Sequence, residues 1–228
     1  GGALALPELT LDPTFHSLEP DVDSRLAMQA GGLYGVTLID GVDGSQASPD
    51  WMRQRLERAG INSINAVVDI TNLVMLEQGQ PLHAFDADAL ETLTEKPVQA
   101  NSFGFRQARE GEPFTGLDGR ELTLDQRCQV VTCHDQPIAL AGVMGSQTSG
   151  VTAATRRIWL ESAMFTASAV RTTSRAVGLR TDASGRFEKG LPVELTLACS
   201  VRASHLLIQQ FQAREQGRWV CRVDGNAG

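Results

Sequence analysis

Cys128-Gln129-Val130-Val131-Thr132, then His134-Asp135-Gln136-Pro137, then Ile138-Ala139-Leu140-Ala141, reads as strand, turn and strand. Short apolar runs rich in β-branched residues pack well on a pleated surface, and Asp with Pro favours reversal between them. The same pattern starts near Asn101. Leu117-Asp118-Gly119-Arg120 marks another hairpin turn, and Ile158-Trp159-Leu160 a further short strand. Upstream, Leu33 to Ile39 alternates as a strand and Gly41 to Ala47 is a loop. Ser48-Pro49 then offers an N-cap and a first-turn proline for a helix that Gly60 stops. Met52, Leu56 and Ala59 share one face of it, with Arg53 and Glu57 on the wet side. A second helix runs from about Ile64 to Gln78 and closes at Gly79. Two more lie near 167–176 and 192–211. Helices, a block of antiparallel strands, then helices is an α+β layout. We expect an antiparallel sheet or barrel-like core flanked by helices, in two fused lobes. Residues 1–30 read as a lead-in linker with one short strand, 31–212 as the functional domain, and 213–228 as a linker onward.

The 228 residues are 42% hydrophobic and 21% charged, ordinary for a globular domain. No run approaches the roughly 18 apolar residues of a membrane span. A net charge of −7 argues against a general nucleic-acid binder with a basic surface. The charge is uneven, however. Arg156, Arg157, Arg171, Arg175, Arg180, Arg186 and Lys189 face only Glu161, Asp182 and Glu188 within their own stretch. That segment can meet a phosphate backbone or be merely a solvated helix face. The four cysteines lack a C-x-x-C spacing and read as buried, reduced thiols. Cys133-His134 has no second pair at ligand spacing, so no metal site is expected.

Polar residues stand where the pattern calls for core. The second helix is apolar over most of its circumference, yet carries Asp69, Thr71 and Asn72. A buried polar group without a partner costs about 1–3 kcal/mol, so these need partners in the fold or in a ligand. His83 sits in an apolar run after Pro81, a setting where a lone histidine is more often structural. Glu161 follows the apolar triplet 158–160; an inward carboxylate must be paired or take up a proton. It is the better single candidate for function, with an arginine partner as the bland alternative. Gly142 and Gly145 either mark a bulge or leave backbone N–H groups open to a ligand.

Taken in order, these segments resemble a known family. The blocks are Val67-Val68-Asp69-Ile70-Thr71-Asn72, Gly79-Gln80-Pro81-Leu82-His83-Ala84-Phe85-Asp86, Ala141-Gly142-Val143-Met144-Gly145 and Leu160-Glu161-Ser162-Ala163. Gly178-Leu179-Arg180-Thr181-Asp182-Ala183-Ser184 and Arg186-Phe187-Glu188-Lys189-Gly190 complete the set. Together they resemble the editing domain of the phenylalanyl-tRNA synthetase beta subunit, over about Leu33 to Phe211. Departures are small: Ser146 stands where the family often has glycine, Gly185 where a larger residue is usual, and Lys189 where arginine is.

The resemblance implies hydrolysis of tyrosine wrongly esterified to the phenylalanine tRNA. A pocket built for phenylalanine rejects one added hydroxyl by only about a hundredfold, so a second, hydroxyl-reading site is needed. By resemblance, Glu161 accepts the phenol proton while backbone N–H at Ala141–Gly142 donates to the same oxygen. Thr71, Asn72 and His83 match positions near the ester and the terminal adenosine, with His83 either a base or a water-orienting group. Gly145, Thr181 and Ala183 match positions where small size keeps the pocket open. The implied partners are the 3′ end of the tRNA and, through the rest of a beta subunit, the alpha subunit. No cofactor is implied for this chain, since ATP and Mg2+ would serve the alpha subunit. A cytoplasmic setting without membrane or DNA follows. A non-catalytic tRNA-docking module and a freestanding trans-editing hydrolase are the competing readings.

Overall fold

The computed structural model describes residues 15–17 and 32–222. Its spine is a five-stranded sheet of β1 (His16–Ser17), β2 (Leu33–Asp40), β3 (Leu82–Asp86), β10 (Arg157–Met164) and β11 (Arg214–Arg222). Their order is β1-β11-β2-β10-β3, antiparallel except for β1 beside β11. A second, antiparallel sheet orders β4 (Phe103–Gln107), β7 (Gln129–Cys133), β8 (Gln136–Leu140) and β9 (Met144–Gly145). The hairpin β5 (Glu112–Thr115) and β6 (Glu121–Leu124) joins it through a bridge between Gly116 and Ser146. Three helices, α1 (Asp50–Arg58), α2 (Ala66–Gln78) and α6 (Val193–Phe211), pack on the first sheet; α3 (Ala87–Thr94), α4 (Ala167–Ala176) and α5 (Asp182–Phe187) follow the strands β3 and β10. The architecture is α+β. It is not barrel-like in the sense of closure: β1 and β3 are open edges of the larger sheet.

Side-chain alternation along the central strand explains the layers. From β10, Ile158 and Leu160 enter a core with Met52 and Leu56 of α1, Ile70 and Val74 of α2 and Leu207 of α6. Trp159 and Ala163 point the other way, into a core with Phe105, Val131 and Leu140 of the second sheet. The two expected lobes are thus two cores that share one sheet. Glu161 has the parity of Trp159 and Ala163, so it faces the second sheet rather than the helices.

Several sequence expectations shift in detail. Ser48 does not cap α1: Pro49 holds the N-cap position, and the Ser48 hydroxyl donates to Asp69 Oδ2 at 2.5 Å instead. The second helix starts at Ala66, two residues late, because Asn65 is its N-cap and accepts from Val68 N at 3.0 Å. Gly79 closes it in the left-handed conformation, φ +89, as glycine permits. The strand expected over 158–160 runs from Arg157 to Met164, so Glu161 lies inside it. Residues 213–228 are not simply a linker, since 214–222 form β11 between β1 and β2. Its charge hid it: Arg218 is buried against Glu215, and its guanidinium stacks 5.1 Å from the Phe15 ring centroid. The expected short lead-in strand is β1; the rest of 1–30, and 223–228, lie outside the described residues. All four cysteines are buried thiols, and burial pushes Cys133 and Cys199 up to about 12.

Asp69 belongs to the fold. It is fully buried and accepts from the hydroxyls of Ser48 and Ser63 and from Ile64 N at 2.9 Å, tying the loop before α2 to the helix. Asp69→Ala strands three donors and should lower stability by about 3 kcal/mol, while Asp69→Asn keeps an acceptor and should cost less. Urea unfolding of the two variants checks the order.

Candidate active site

β10 pairs with β3 so that Glu161 stands directly opposite His83, on the sheet face turned to the second sheet. Phe85, two residues along β3 and on the same face, packs its ring at 4.5 Å from the imidazole, edge to face. Above these groups opens a cavity of about 510 Å3. Its lining includes Asn72, His83, Gly142, Gly145, Glu161, Thr181 and Ala183, which the sequence singles out across more than a hundred positions. Met75, Phe165 and Phe187 add an apolar wall, and the exposed Ile64 and Leu117 stand at its rim. Phe187 lies in one of the quoted blocks, and no motif pointed to the other four. Their signal is large apolar side chains at loop or helix ends, which local pattern cannot separate from ordinary core.

Glu161 is 7% exposed and has no cationic partner among the described residues. Its Oε2 accepts the phenol proton of Tyr34 at 2.9 Å, and Oε1 has no hydrogen-bond partner among them. Burial pushes its carboxyl up to about 7, with the Tyr34 hydrogen bond pulling weakly the other way. Tyr34 itself rises well above the usual phenol range, through burial first and the Glu161 charge second. This tyrosine escaped sequence reading. It lies on β2 diagonally across from Glu161, a neighbour fixed by register alone.

His83 is driven down to about 4 by burial, so the ring is neutral at pH 7. Its Nε2 is buried without a hydrogen-bond partner among the described residues. An added Cβ at Gly145 would come within 2.6 Å of that nitrogen, which is why only glycine fits beside it. Gly142 has φ +70, and its N–H has no partner within the described protein. A Cβ there would meet Val170 Cγ2 at 2.7 Å and the rings of Phe165 and Phe187 at 3.1 Å. The carbonyl of the next residue, Val143, accepts the Thr181 hydroxyl at 2.9 Å, while Thr181 Oγ1 also caps α5 by accepting from Ser184 N. Thr181 therefore clamps the loop 141–145 to the start of α5. Ser146 holds the following turn through the hydroxyls of Ser149 and Thr148.

Two residues of the sequence set fall elsewhere. Ala141 turns its N–H to Gln129 O at 2.9 Å and does not line the cavity, leaving Gly142 as the open backbone donor. Thr71 is buried, with its hydroxyl on Val68 O at 2.6 Å. Its neighbour Asn72 lines the cavity with no side-chain hydrogen bond among the described residues. Successive helix residues point about 100° apart, so only one of the pair can face inward.

The site thus offers an apolar wall, a buried acceptor, one open backbone donor, and neutral polar groups beside them. A B3/4 domain model matches residues 30–212. A phenylalanine–tRNA ligase beta subunit from Parasynechococcus marenigrum is 73% identical over 97% of this chain and 27% of that protein. The beta subunit of a Synechococcus species is 65% identical over 96% of this chain and 26% of that protein. That of a Prochlorococcus marinus strain is 63% identical, over 96% and 27%. The chain spans about a quarter of the length of the curated relatives it matches. No helix among the described residues is long and apolar enough to cross a membrane. On the family match, and on identity at this level over nearly its whole length, the chain belongs to the B3/4 domain family, in the form carried by phenylalanine–tRNA ligase beta subunits.

Proposed function

We propose that this chain is an editing domain that hydrolyses the ester joining tyrosine to the 3′ end of the phenylalanine tRNA. One observation carries the reading: a buried carboxylate with a single unpaired oxygen, in an apolar cavity that also holds the open Gly142 N–H. A tyrosine phenol would donate to Glu161 Oε1 and accept from Gly142. A phenylalanine ring leaves both buried groups unpaired, at about 1–3 kcal/mol each, so the cavity favours the wrong amino acid for removal. The aromatic wall of Phe165 and Phe187 suits the ring, and Gly145 and Ala183 leave it room.

Ester hydrolysis needs a positioned water more than a strong base, since the acyl bond is already activated. Neutral His83 Nε2 and the Asn72 amide, both without partners among the described residues, are suited to hold that water and the ester end. Reaction at this site would be on a tRNA within a ligase whose aminoacylation, with its ATP and Mg2+, proceeds on the alpha subunit in the cytoplasm.

The direct test is deacylation of tyrosyl-tRNA and phenylalanyl-tRNA by the chain; equal rates on the two overturn the reading. The pH profile separates the roles. Because His83 is deprotonated above about 4, it does not titrate between pH 6 and 9. His83→Ala should lower kcat by roughly tenfold to a hundredfold, uniformly over that range. The inflection of kcat/KM near pH 7 belongs to Glu161 and should persist in that variant. Loss of an acid-side limb in that variant would instead identify His83 as the titrating base.

A further inference from the structure

Most described arginines hold a carboxylate: Arg106 holds Glu112 and Asp135, Arg157 holds Asp88 and Glu91, and Arg218 holds Glu215. The cations from α4 to just beyond α5 do not. Arg171 reaches only the Glu188 carbonyl at 3.4 Å, and Arg175, Arg180, Arg186 and Lys189 have no side-chain hydrogen bond or ion pair within the described protein. Clustered like charges repel one another at short range. Arg171 and Arg175 even stand one helical turn apart, where like charges repel by a few tenths of a kcal/mol. Stability does not account for such an arrangement.

These cations line neighbouring hollows. A hollow of about 320 Å3 is lined by Arg171, Arg175, Arg180 and Glu188. It shares Arg180 with a hollow of about 680 Å3 whose walls include Thr181, Asp182, Arg186 and Lys189. That second hollow shares Thr181 and Asp182 with the cavity that holds Glu161 and His83. Gly185 lies between, where an added Cβ would stand 4.0 Å from Arg180 Nε, so bare backbone forms that part of the surface. Five cations against Asp182 and Glu188 leave the path positive along its length.

We infer that this row of neighbouring hollows is a track for the sugar–phosphate backbone of single-stranded RNA, which leads its 3′ end into the cavity. The inference rests on the proposed function for what happens at the end of the track, but not for the track itself. Charge complementarity selects the occupant: successive phosphates match successive unpaired cations, and no aromatic group lines the two outer hollows as base recognition would require. Only Leu179 interrupts the polar lining. The acidic remainder of the surface repels RNA elsewhere and so confines binding to this path.

Binding of a fluorescein-labelled RNA hairpin with a four-nucleotide single-stranded 3′ end tests the track by anisotropy. Arg175, Arg180 and Lys189 are exposed, so the triple variant Arg175→Gln, Arg180→Gln, Lys189→Gln should fold. Its Kd should rise at least roughly tenfold. The slope of log Kd against log salt should fall by about 2, at near 0.7 for each phosphate no longer neutralised. Lys96→Gln, an exposed cation outside the track, should change neither quantity. Equal Kd and slope in the triple variant and the unaltered chain overturn the inference, as does an equal weakening in Lys96→Gln. Hydrolysis of 3′-O-tyrosyl-adenosine, which carries no phosphate, reads the cavity separately. It should survive the triple change, which also verifies folding. Its absence in the unaltered chain overturns the proposed function, while the binding result still decides the track.

Discussion

Glu161→Ala should reduce kcat/KM for tyrosyl-tRNA by roughly a hundredfold, with little change for phenylalanyl-tRNA. A hydrogen bond from a phenol to a buried carboxylate is worth about 1.5–3 kcal/mol, and each 1.4 kcal/mol is a factor of ten. The effect is confined to substrates with the hydroxyl, so the selectivity ratio is the quantity to measure. Unchanged tyrosine selectivity in this variant removes Glu161 from recognition. Glu161→Gln gives the complementary result. The carboxyl moves from an ordinary 4.5 to about 7 on folding because burial penalises its charge. A raised carboxyl leaves stability intact below pH 4.5 and lowers it as pH rises through about 7. The full penalty is about 3 kcal/mol at pH 8. Glu161→Gln should therefore be more stable than the unaltered chain at pH 8 and equal to it at pH 4, while losing the kcat/KM inflection near 7. A site that is destabilised by its own key residue, and improved in stability by removing its charge, is the signature of function rather than packing. Denaturant melts at the two pH values decide the matter.

Gly145→Ala should lower kcat/KM by roughly tenfold to a hundredfold and cost about 1–3 kcal/mol of stability. The new methyl would press on His83 Cε1 and Nε2 at 2.6 Å and on Leu117 Cδ1 at 3.1 Å. The imidazole cannot retreat, because Phe85 packs against it from its own strand. It must rotate and carry its unpartnered nitrogen away from the ester. Gly145→Trp fills the cavity and should abolish hydrolysis; Ala183→Trp, also in its lining, should do the same. Deacylation assays with circular dichroism as a check of folding measure both. Retained hydrolysis by Gly145→Trp would mean that the substrate lies elsewhere.

Most elements, and most members of the site, are legible in the amino-acid order. Apolar periodicity, Gly79 as a helix stop and the turn residues at 117–120 and 134–137 are local signals, and local signals act wherever the chain sits. Five-residue β3 and the charged β11 were not legible this way. The first sends Ala84 into one core and Phe85 into the other, so it has no polar face to alternate with, and the second owes its place to pairing with β1 and β2. Within the site, polar residues in apolar runs identified Glu161, His83 and Asn72. The same signal could not distinguish Asp69, whose donors are Ser63 and Ile64 of the loop before its helix and Ser48 ahead of α1, from Asn72, which faces the cavity. Nor could it choose Gly142 over Ala141, since that depends on which N–H the neighbouring strand takes. Folding of the whole chain set Glu161 opposite His83 and placed Tyr34 on one of its oxygens, 127 residues away in sequence. Strand register makes such neighbours, and register is fixed by the fit of two faces across a sheet, which no local stretch of chain contains.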